Sequence, residues 1–216
     1  MILTRLFTKV LDANECVIIT GAERYSNYTE YADSFAWSGD YIDATISDNW
    51  GRKQMQIFAI DALVFNDYAS QFKTGLLRRE LNKLYVAFCT NLTGASGNMA
   101  VATGNWGCGA FGGDCYLKAL LQLMAAALSK RDVVYFTFGD EKLAKDISLI
   151  HQLLIEQDLD VSTLWSLLLR YHREVICQAK AKRQTLQGVE LYDFIFRLYT
   201  DCSEESQTLE CSPDLI

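Results

Sequence analysis

The sequence has little proline, little histidine and no long apolar run. Its 216 residues include one proline, and half of them are apolar, which leaves little room for disordered linkers. We therefore expect one domain over residues 1–216, ending in a polar tail at 201–216. The longest apolar stretch, Ala119–Leu128, is broken by Gln122 and falls short of the ~18 residues of a membrane span. Polar residues throughout Met1–Val10 argue against a signal peptide.

Basic residues are in the minority. The formal net charge is -7, whereas proteins that hold polyanions over a broad surface neutralise phosphates with Lys and Arg. This balance argues against direct DNA binding. It is compatible with a diphosphate held by backbone amides, and no basic cluster resembles a nuclear import signal.

The sequence also lacks the residue spacings of a metal site. Only two histidines are present, His151 and His172, and both lie in helical patterns without ligand spacing. The seven cysteines never form a Cys-x-x-Cys pair, so reduced thiols in the cytosol or nucleus are expected. They are Cys16, Cys89, Cys108, Cys115, Cys177, Cys202 and Cys211. We expect neither a metal nor a cofactor.

Short apolar runs alternate with helical patterns along the chain. Strands are predicted at Cys16–Ile19, Ile57–Ile60, Met99–Thr103 and Val133–Phe138, the first buried on both faces and the last central in a sheet. Helices are predicted at Ile2–Leu11, Phe65–Phe72, Leu76–Phe88, Tyr116–Leu128, Glu141–Glu156, Ser162–Ile176 and Leu191–Tyr199. Surface loops are predicted at Trp37–Trp50 and Asn91–Asn98, and a solvated helix face at Arg78–Glu80. The alternation is typical of a three-layer α/β domain.

Residues Ala102–Asp114 form a glycine-rich stretch between a predicted strand and a predicted helix. Glycines allow sharp turns and close approach to an anion, and unpaired N–H groups at a helix start favour negative charge. Asp114 is the expected N-cap of that helix.

Two other readings of this stretch remain open. Gly107-x-Gly109-x-x-Gly112 matches a dinucleotide fingerprint, with Asp140 as the ribose-binding acid. A less favoured alternative is a tight turn that only joins strand to helix. It is not a Walker A loop, because no Gly-Lys-Ser/Thr follows.

The exact amino-acid sequence of this stretch favours one of these interpretations. Asn105–Asp114 followed by Asp132–Asp140 closely resembles the C-terminal half of poly(ADP-ribose) glycohydrolases. Four upstream segments are similar to that family in the same order, namely Arg5–Thr8, Asn14–Cys16, Ile18–Gly21 and Tyr25–Tyr31. The resemblance extends from about Leu3 to about Tyr171.

The resemblance implies a macrodomain with a mixed sheet and additional C-terminal helices. It also implies hydrolysis of ribose–ribose O-glycosidic bonds in poly(ADP-ribose), on poly(ADP-ribosyl)ated proteins, in the nucleus or cytoplasm and in the DNA damage response. The ADP-ribose contacts it implies are Tyr31, Asn105, Trp106, Gly107, Cys108, Gly109, Ala110, Phe111 and Phe138. Without the resemblance, Phe138 reads as a core residue and Tyr25, Tyr28 and Tyr31 as a packing edge.

The catalytic signature of that family, a triple glycine followed by Gln-Glu-Glu, does not occur in these residues. We therefore expect the N-terminal part of the fold to be missing, no catalytic residue to be present, and hydrolysis to be impaired or absent. The alternatives are a non-catalytic module that binds ADP-ribose or its polymer, and a non-functional truncated copy. A dinucleotide oxidoreductase is a more distant alternative.

Overall fold

The computed structural model describes residues 11–12, 14–30, 32–89, 99–182 and 189–207. Tyr31, the predicted loop Asn91–Asn98 and the predicted helix Ile2–Leu11, except its last residue, lie outside the described residues.

The described strands form three separate pairs. Strands β1 (Val17–Thr20) and β4 (Gln56–Ala59) pair antiparallel, with Ile18 opposite Phe58. Strands β2 (Ser26–Thr29) and β3 (Ala36–Asp40) form an antiparallel hairpin, and β5 (Val101–Gly104) runs parallel to β6 (Val133–Phe136). Parallel and antiparallel pairing thus occur together, as in the expected mixed sheet, but divided among three two-stranded units.

Six α-helices account for nearly half of the described chain. They are α1 (Thr74–Phe88), α2 (Cys115–Ser129), α3 (Glu141–Glu156), α4 (Val161–Tyr171), α5 (Cys177–Lys182) and α6 (Val189–Gln207). A π-helical turn, His172–Ile176, joins α4 to α5. Asp114, Asp140 and Asp160 cap α2, α3 and α4, because each carboxylate accepts the N–H three residues ahead.

The hydrophobic core lies among the helices. Leu120, Met124 and Ala125 of α2 pack with Leu77 and Leu84 of α1, and Leu168, Tyr171 and Ile195 extend this core into α4 and α6. Val101 is the only buried residue that the described strands contribute to it. The fold therefore places its helices around α2, and the glycine loop enters this helix directly.

Several sequence expectations are wrong in detail. Strand β6 is not central and buried, because it pairs only with β5 among the described strands, and Val134 and Phe136 are 49% and 52% exposed. Strand β1 is half-buried instead of buried on both faces. The predicted loop Trp37–Trp50 begins with strand β3, and the predicted helix Phe65–Phe72 contains only a 3-10 turn, Ala69–Phe72.

Within the described part of the chain, every helix is too short or too polar to cross a membrane.

Candidate functional site: a glycine loop at the start of α2

The glycine loop, residues 104–114, consists of successive tight turns between β5 and α2. The N–H of Cys108 donates to the carbonyl of Asn105 at 3.1 Å, and that of Gly112 donates to Gly109 at 3.0 Å. The N–H of Gly113 closes the loop on the carbonyl of Gly107 at 2.9 Å. These bonds hold the backbone in a fixed curve before α2 begins.

Two of its glycines are required by the backbone geometry. Gly107 and Gly112 have φ of +74° and +67°, values that residues other than glycine rarely adopt. A Cβ on Gly107 would lie 2.6 Å from Cβ of Ala62, and one on Gly112 would lie 2.4 Å from the carbonyl oxygen of Phe65. By contrast, a Cβ on Gly109 would have no atom within 4 Å. Gly109 therefore faces open space.

Residues 109–112 form the exposed tip of the loop, which we call the loop crown. Among the described residues, no acceptor takes a hydrogen bond from the N–H of Gly109, Ala110 or Phe111. Polar hydrogens left free beside a helix N-terminus make a favourable position for an anion.

A buried lysine lies beneath this loop. Lys118 of α2 is fully buried, pairs with Glu80 of α1, and places its Nζ 4.1 Å from the centre of the Trp106 ring. Burial lowers the pKa of Lys118, and the Glu80 carboxylate opposes that shift. A Cβ on Gly107 would approach this Nζ to 3.4 Å, so the charge lies close to the loop backbone.

The charges around Lys118 form a network that the sequence did not reveal. Arg79 pairs with both Glu80 and Asp61, and Lys83 pairs with Asp61 at 2.9 Å. The prediction of a solvated face at Arg78–Glu80 is therefore wrong for Glu80, which is 2% exposed, and for the half-buried Arg79. The network as a whole, with three cations and two carboxylates, carries a formal charge of +1.

Some of the loop residues predicted to contact ADP-ribose have side chains bonded within the protein, and the others are exposed. The Trp106 indole donates to the carbonyl of Ile60 at 3.3 Å, and Asn105 Oδ1 accepts from the Tyr135 hydroxyl at 3.0 Å. Cys108 is half-buried; its hydrogen bond to Cys115 together with burial raises the Cys108 pKa, and the same bond lowers the Cys115 pKa. These three side chains are thus engaged within the protein, whereas Gly109, Ala110 and Phe111 are exposed.

Phe138 lies beside the start of the loop. It follows β6 in a left-handed backbone conformation, with φ of +56°, and is 82% exposed. Its ring packs against Gly104, where an added Cβ would lie 2.7 Å from Cε2 of Phe138. The alternative of a core phenylalanine does not fit this exposure.

Four supporting residues were missed by sequence reasoning. Gln71 binds the loop end through the N–H of Asp114 at 2.9 Å, and Gln122 binds the Gly104 carbonyl at 3.0 Å. Tyr135 and Lys118 hold Asn105 and Trp106 as described above. The one available signal was a polar side chain inside an apolar helix pattern, at Lys118 and Gln122.

The geometry gives little support to a dinucleotide site, a disulfide or a metal site in the described residues. Asp140, the ribose-binding acid expected of a dinucleotide site, instead caps a helix, because its Oδ1 accepts the Leu143 N–H at 2.9 Å. The described cysteine side chains, at Cys16, Cys89, Cys108, Cys115 and Cys177, are free thiols. No cluster of three possible metal ligands occurs in the part of the chain that the structure describes.

The fold and loop together define an α/β domain with an exposed glycine loop before a helix N-terminus. The family model for poly(ADP-ribose) glycohydrolase, macro domain fold, matches residues 1–145. The chain therefore belongs to the poly(ADP-ribose) glycohydrolase family, and its fold class is that of a macrodomain.

Curated relatives agree with this assignment. The chain is 32% identical to probable poly(ADP-ribose) glycohydrolase 2 of Arabidopsis thaliana, over 78% of this chain and 39% of the relative. It is 31% identical to poly(ADP-ribose) glycohydrolase 1 of the same plant, over 77% of this chain and 42% of the relative. Poly(ADP-ribose) glycohydrolase 2 of Caenorhabditis elegans is 33% identical, over 67% of this chain and 32% of its own length. The chain thus spans about two fifths of the Arabidopsis relatives.

Proposed function

We propose that this chain supplies the diphosphate- and ribose-binding part of a poly(ADP-ribose) glycohydrolase site. The loop crown carries the proposal, because it is exposed shortly before the start of α2 and three of its N–H groups have no acceptor among the described residues. In this arrangement Gly109, Ala110 and Phe111 donate hydrogen bonds to the diphosphate of ADP-ribose. The exposed rings of Phe111 and Phe138 pack against its sugars. The buried charge of Lys118 adds positive potential beneath the anion.

Hydrolysis requires more than these residues provide. Cleavage of a glycosidic bond needs a positioned carboxylic acid, whereas Asp114 at the end of the loop and Asp140 after β6 cap α2 and α3. The 216 residues contain no Gly-Gly-Gly and no Gln-Glu-Glu string. We propose that the chain by itself binds ADP-ribose and hydrolyses the polymer slowly, because loss of a general acid typically reduces the rate by ~10²–10⁴.

The proposed ligand is an ADP-ribose unit, free or within poly(ADP-ribose), including polymer attached to proteins. The family resemblance would place this binding in the nucleus or cytoplasm, in the response to DNA damage.

Calorimetric titration of the purified chain with ADP-ribose tests the proposal. Gly109→Ala adds a methyl group in open space, so it should leave the fold intact and weaken binding at least ~10-fold by keeping the diphosphate away from the crown. Gly75→Ala, at an equally open position in α1, is the matched control and should bind like the parent. Release of ADP-ribose from the polymer is measured separately.

The outcomes distinguish the alternatives. A folded chain that gives no binding heat overturns the proposal and supports a non-functional copy. Saturable binding without any release of ADP-ribose supports a binding module. Equal affinity for NAD and ADP-ribose would revive the dinucleotide reading.

A further inference from the structure

Two cysteines bracket the loop crown. Cys108 comes directly before residues 109–112, and Cys115 is the first residue of α2, shortly after them. Both are free thiols, and both are half-buried, so solvent reaches them in part. The thiol of Cys108 hydrogen-bonds to that of Cys115. The two sulfur atoms are therefore neighbours in the folded chain.

The backbone of the loop holds the two cysteines together. The N–H of Gly113 donates to the carbonyl of Gly107 at 2.9 Å, so the residues before the crown lie beside those after it. The N–H of Cys108 donates to the carbonyl of Asn105 at 3.1 Å, which fixes the backbone of Cys108 itself. The contact between the thiols thus follows from the closed turn of the loop.

The surroundings of Cys115 favour its thiolate. Cys115 occupies the first position of α2, where the helix dipole favours negative charge. The hydrogen bond from Cys108 lowers the pKa of Cys115, and burial together with the Asp114 and Asp140 carboxylates opposes that shift without cancelling it. By contrast, burial raises the pKa of Cys16, a free thiol outside the loop.

A buried positive charge lies beneath both ends of the crown. An added Cβ on Gly107 would lie 3.4 Å from Lys118 Nζ, and one on Gly113 would lie 3.1 Å from Lys118 Cε. The hydrogen bond to Cys115 and burial raise the pKa of Cys108, and the Lys118 ammonium opposes this rise. Cys115 is therefore the thiol that ionises first, with a protonated thiol beside it. In such a pair, oxidation of the thiolate leads to a disulfide.

We propose that Cys115 and Cys108 form a peroxide-sensitive dithiol that closes to a disulfide at the base of the loop crown. The Cys115 thiolate attacks one oxygen of hydrogen peroxide, the O–O bond breaks, and hydroxide leaves, which gives a sulfenic acid on Cys115. The Cys108 thiol then attacks that sulfur and gives up its proton, so the S–S bond forms while the S–O bond breaks and water leaves. The two thiols are oxidised by two electrons, and the peroxide is reduced to two molecules of water.

The disulfide should weaken ADP-ribose binding, an expectation that rests on the proposed function. An S–S bond is about 2 Å long and so is shorter than a hydrogen bond between two sulfurs. Its closure must therefore displace Cys108 or the first turn of α2, and the crown lies between these two points. Because hydrogen bonds depend steeply on distance and angle, we expect the affinity for ADP-ribose to fall at least ~10-fold.

Peptide mass spectrometry tests the linkage without any ligand. The reduced chain is treated with hydrogen peroxide, free thiols are blocked with iodoacetamide, and a protease that cuts before Asp114 separates the two cysteines. We expect the Cys108 and Cys115 peptides to remain joined, with the loss of two hydrogen atoms. Cys177, an exposed thiol of α5, should still be blocked by iodoacetamide. Dithiothreitol should restore both loop thiols.

Calorimetric titration with ADP-ribose measures the effect on the ligand. The parent chain should bind more weakly after peroxide treatment and recover its affinity after reduction. Cys115→Ala removes the attacking thiolate, so this variant should bind like the reduced parent and keep its affinity in peroxide. Cys177→Ala is the matched control, and its affinity should respond to peroxide as that of the parent does.

Several results would contradict the proposal. Loop thiols that stay open to iodoacetamide after peroxide treatment overturn the linkage, and so does oxidation of Cys115 to a sulfinic acid without a bond to Cys108. An equal loss of affinity in Cys115→Ala would trace the effect to another oxidised residue. Unchanged affinity of the disulfide form overturns the effect on the ligand. If the reduced chain binds no ADP-ribose, the proposed function fails, whereas the mass measurement still decides whether the disulfide forms.

Discussion

At the scale of single residues, Phe138 combines two unfavourable features. Its backbone has φ of +56°, and its ring is 82% exposed. A residue other than glycine in the left-handed region carries strain of order ~1–3 kcal/mol, and such strain clusters at ligand sites. Burial of the ring does not offset this strain. The combination supports a role for the ring outside the fold, in contact with a ligand.

Replacing Phe138 should therefore separate stability from binding. Asparagine tolerates the left-handed conformation, so Phe138→Asn should raise the free energy of unfolding by up to ~1 kcal/mol while weakening ADP-ribose binding. Phe138→Ala, which also lacks the ring but keeps the strain, is the control and should lose binding without the gain in stability. Urea denaturation and calorimetry measure the two effects. Unchanged affinity in both variants would remove Phe138 from the site.

The glycine loop was predictable from sequence to the extent that its backbone is unusual. Gly107 and Gly112 adopt positive φ and leave no space for a Cβ, and only glycine meets both conditions, so the pattern carries the information. Trp106 shows what the sequence pattern does not predict. The resemblance implied a ligand contact, but its partners Ile60 and Lys118 lie 46 and 12 residues away along the chain, and no local pattern encodes such contacts.

At the scale of elements, the start of α2 depends on Asp114. Its carboxylate accepts the Leu117 N–H at 2.9 Å, and burial raises its pKa even though this bond and one from Tyr116 oppose the shift. Because the folded pKa exceeds the unfolded value, ionised Asp114 carries a destabilising cost at neutral pH. That cost is relieved as the pH falls through the folded pKa.

Two substitutions of Asp114 should separate capping from charge. Asp114→Ala loses the cap and should reduce the free energy of unfolding by ~1 kcal/mol. Asp114→Asn keeps a capping oxygen and should match or exceed the parent at pH 7, with the parent gaining relative to it as the pH is lowered. Urea denaturation at pH 7 and pH 5 measures both. A relative loss of parent stability on acidification would contradict the assignment.

The interface of α1 with α2 contains the buried pair of Glu80 and Lys118, which are 2% and 0% exposed. Arg79 still pairs with Glu80 when Lys118 is replaced, so Lys118→Met should cost less unfolding free energy than the ~3–5 kcal/mol of a buried charge left without a partner. Adding Glu80→Gln to that variant should cost less than the sum of the two single changes. A double-mutant cycle by chemical denaturation measures the difference, and strict additivity would show that the two charges are not coupled.

The helices were predicted far better than the strands, for a physical reason. In α3 the apolar residues recur on one face, and an aspartate marks the start of both α2 and α3, so the signal is local. Strands β5 and β6 read as buried runs, but burial of a strand depends on neighbours elsewhere in the chain. Only β5 lies beside β6 among the described strands, and Phe136 is consequently half exposed.

At the scale of the whole molecule, burial is distributed unevenly. No residue of β1–β4 is fully buried, whereas α2 contributes nine buried residues. The β2–β3 hairpin relies on surface contacts instead, including the stacked rings of Tyr28 and Phe35 at 5.3 Å and the Arg24 guanidinium 4.2 Å from the Tyr41 ring. Contacts of this kind contribute less than a packed core.

This distribution predicts two levels of stability within one chain. The N–H groups in the middle of α2 should exchange with solvent only through global unfolding, because their helix packs against α1, α4 and α6. Those of β2 and β3 should exchange through local opening, at rates orders of magnitude faster and nearly independent of low urea concentrations. Native-state hydrogen exchange resolves the two groups. Lys118→Met is an internal control, since it should accelerate exchange in α2 and leave the hairpin unchanged. Equal protection of the hairpin and α2 would mean that the exposed aromatic contacts stabilise the chain as strongly as its helical core, which the burial pattern argues against.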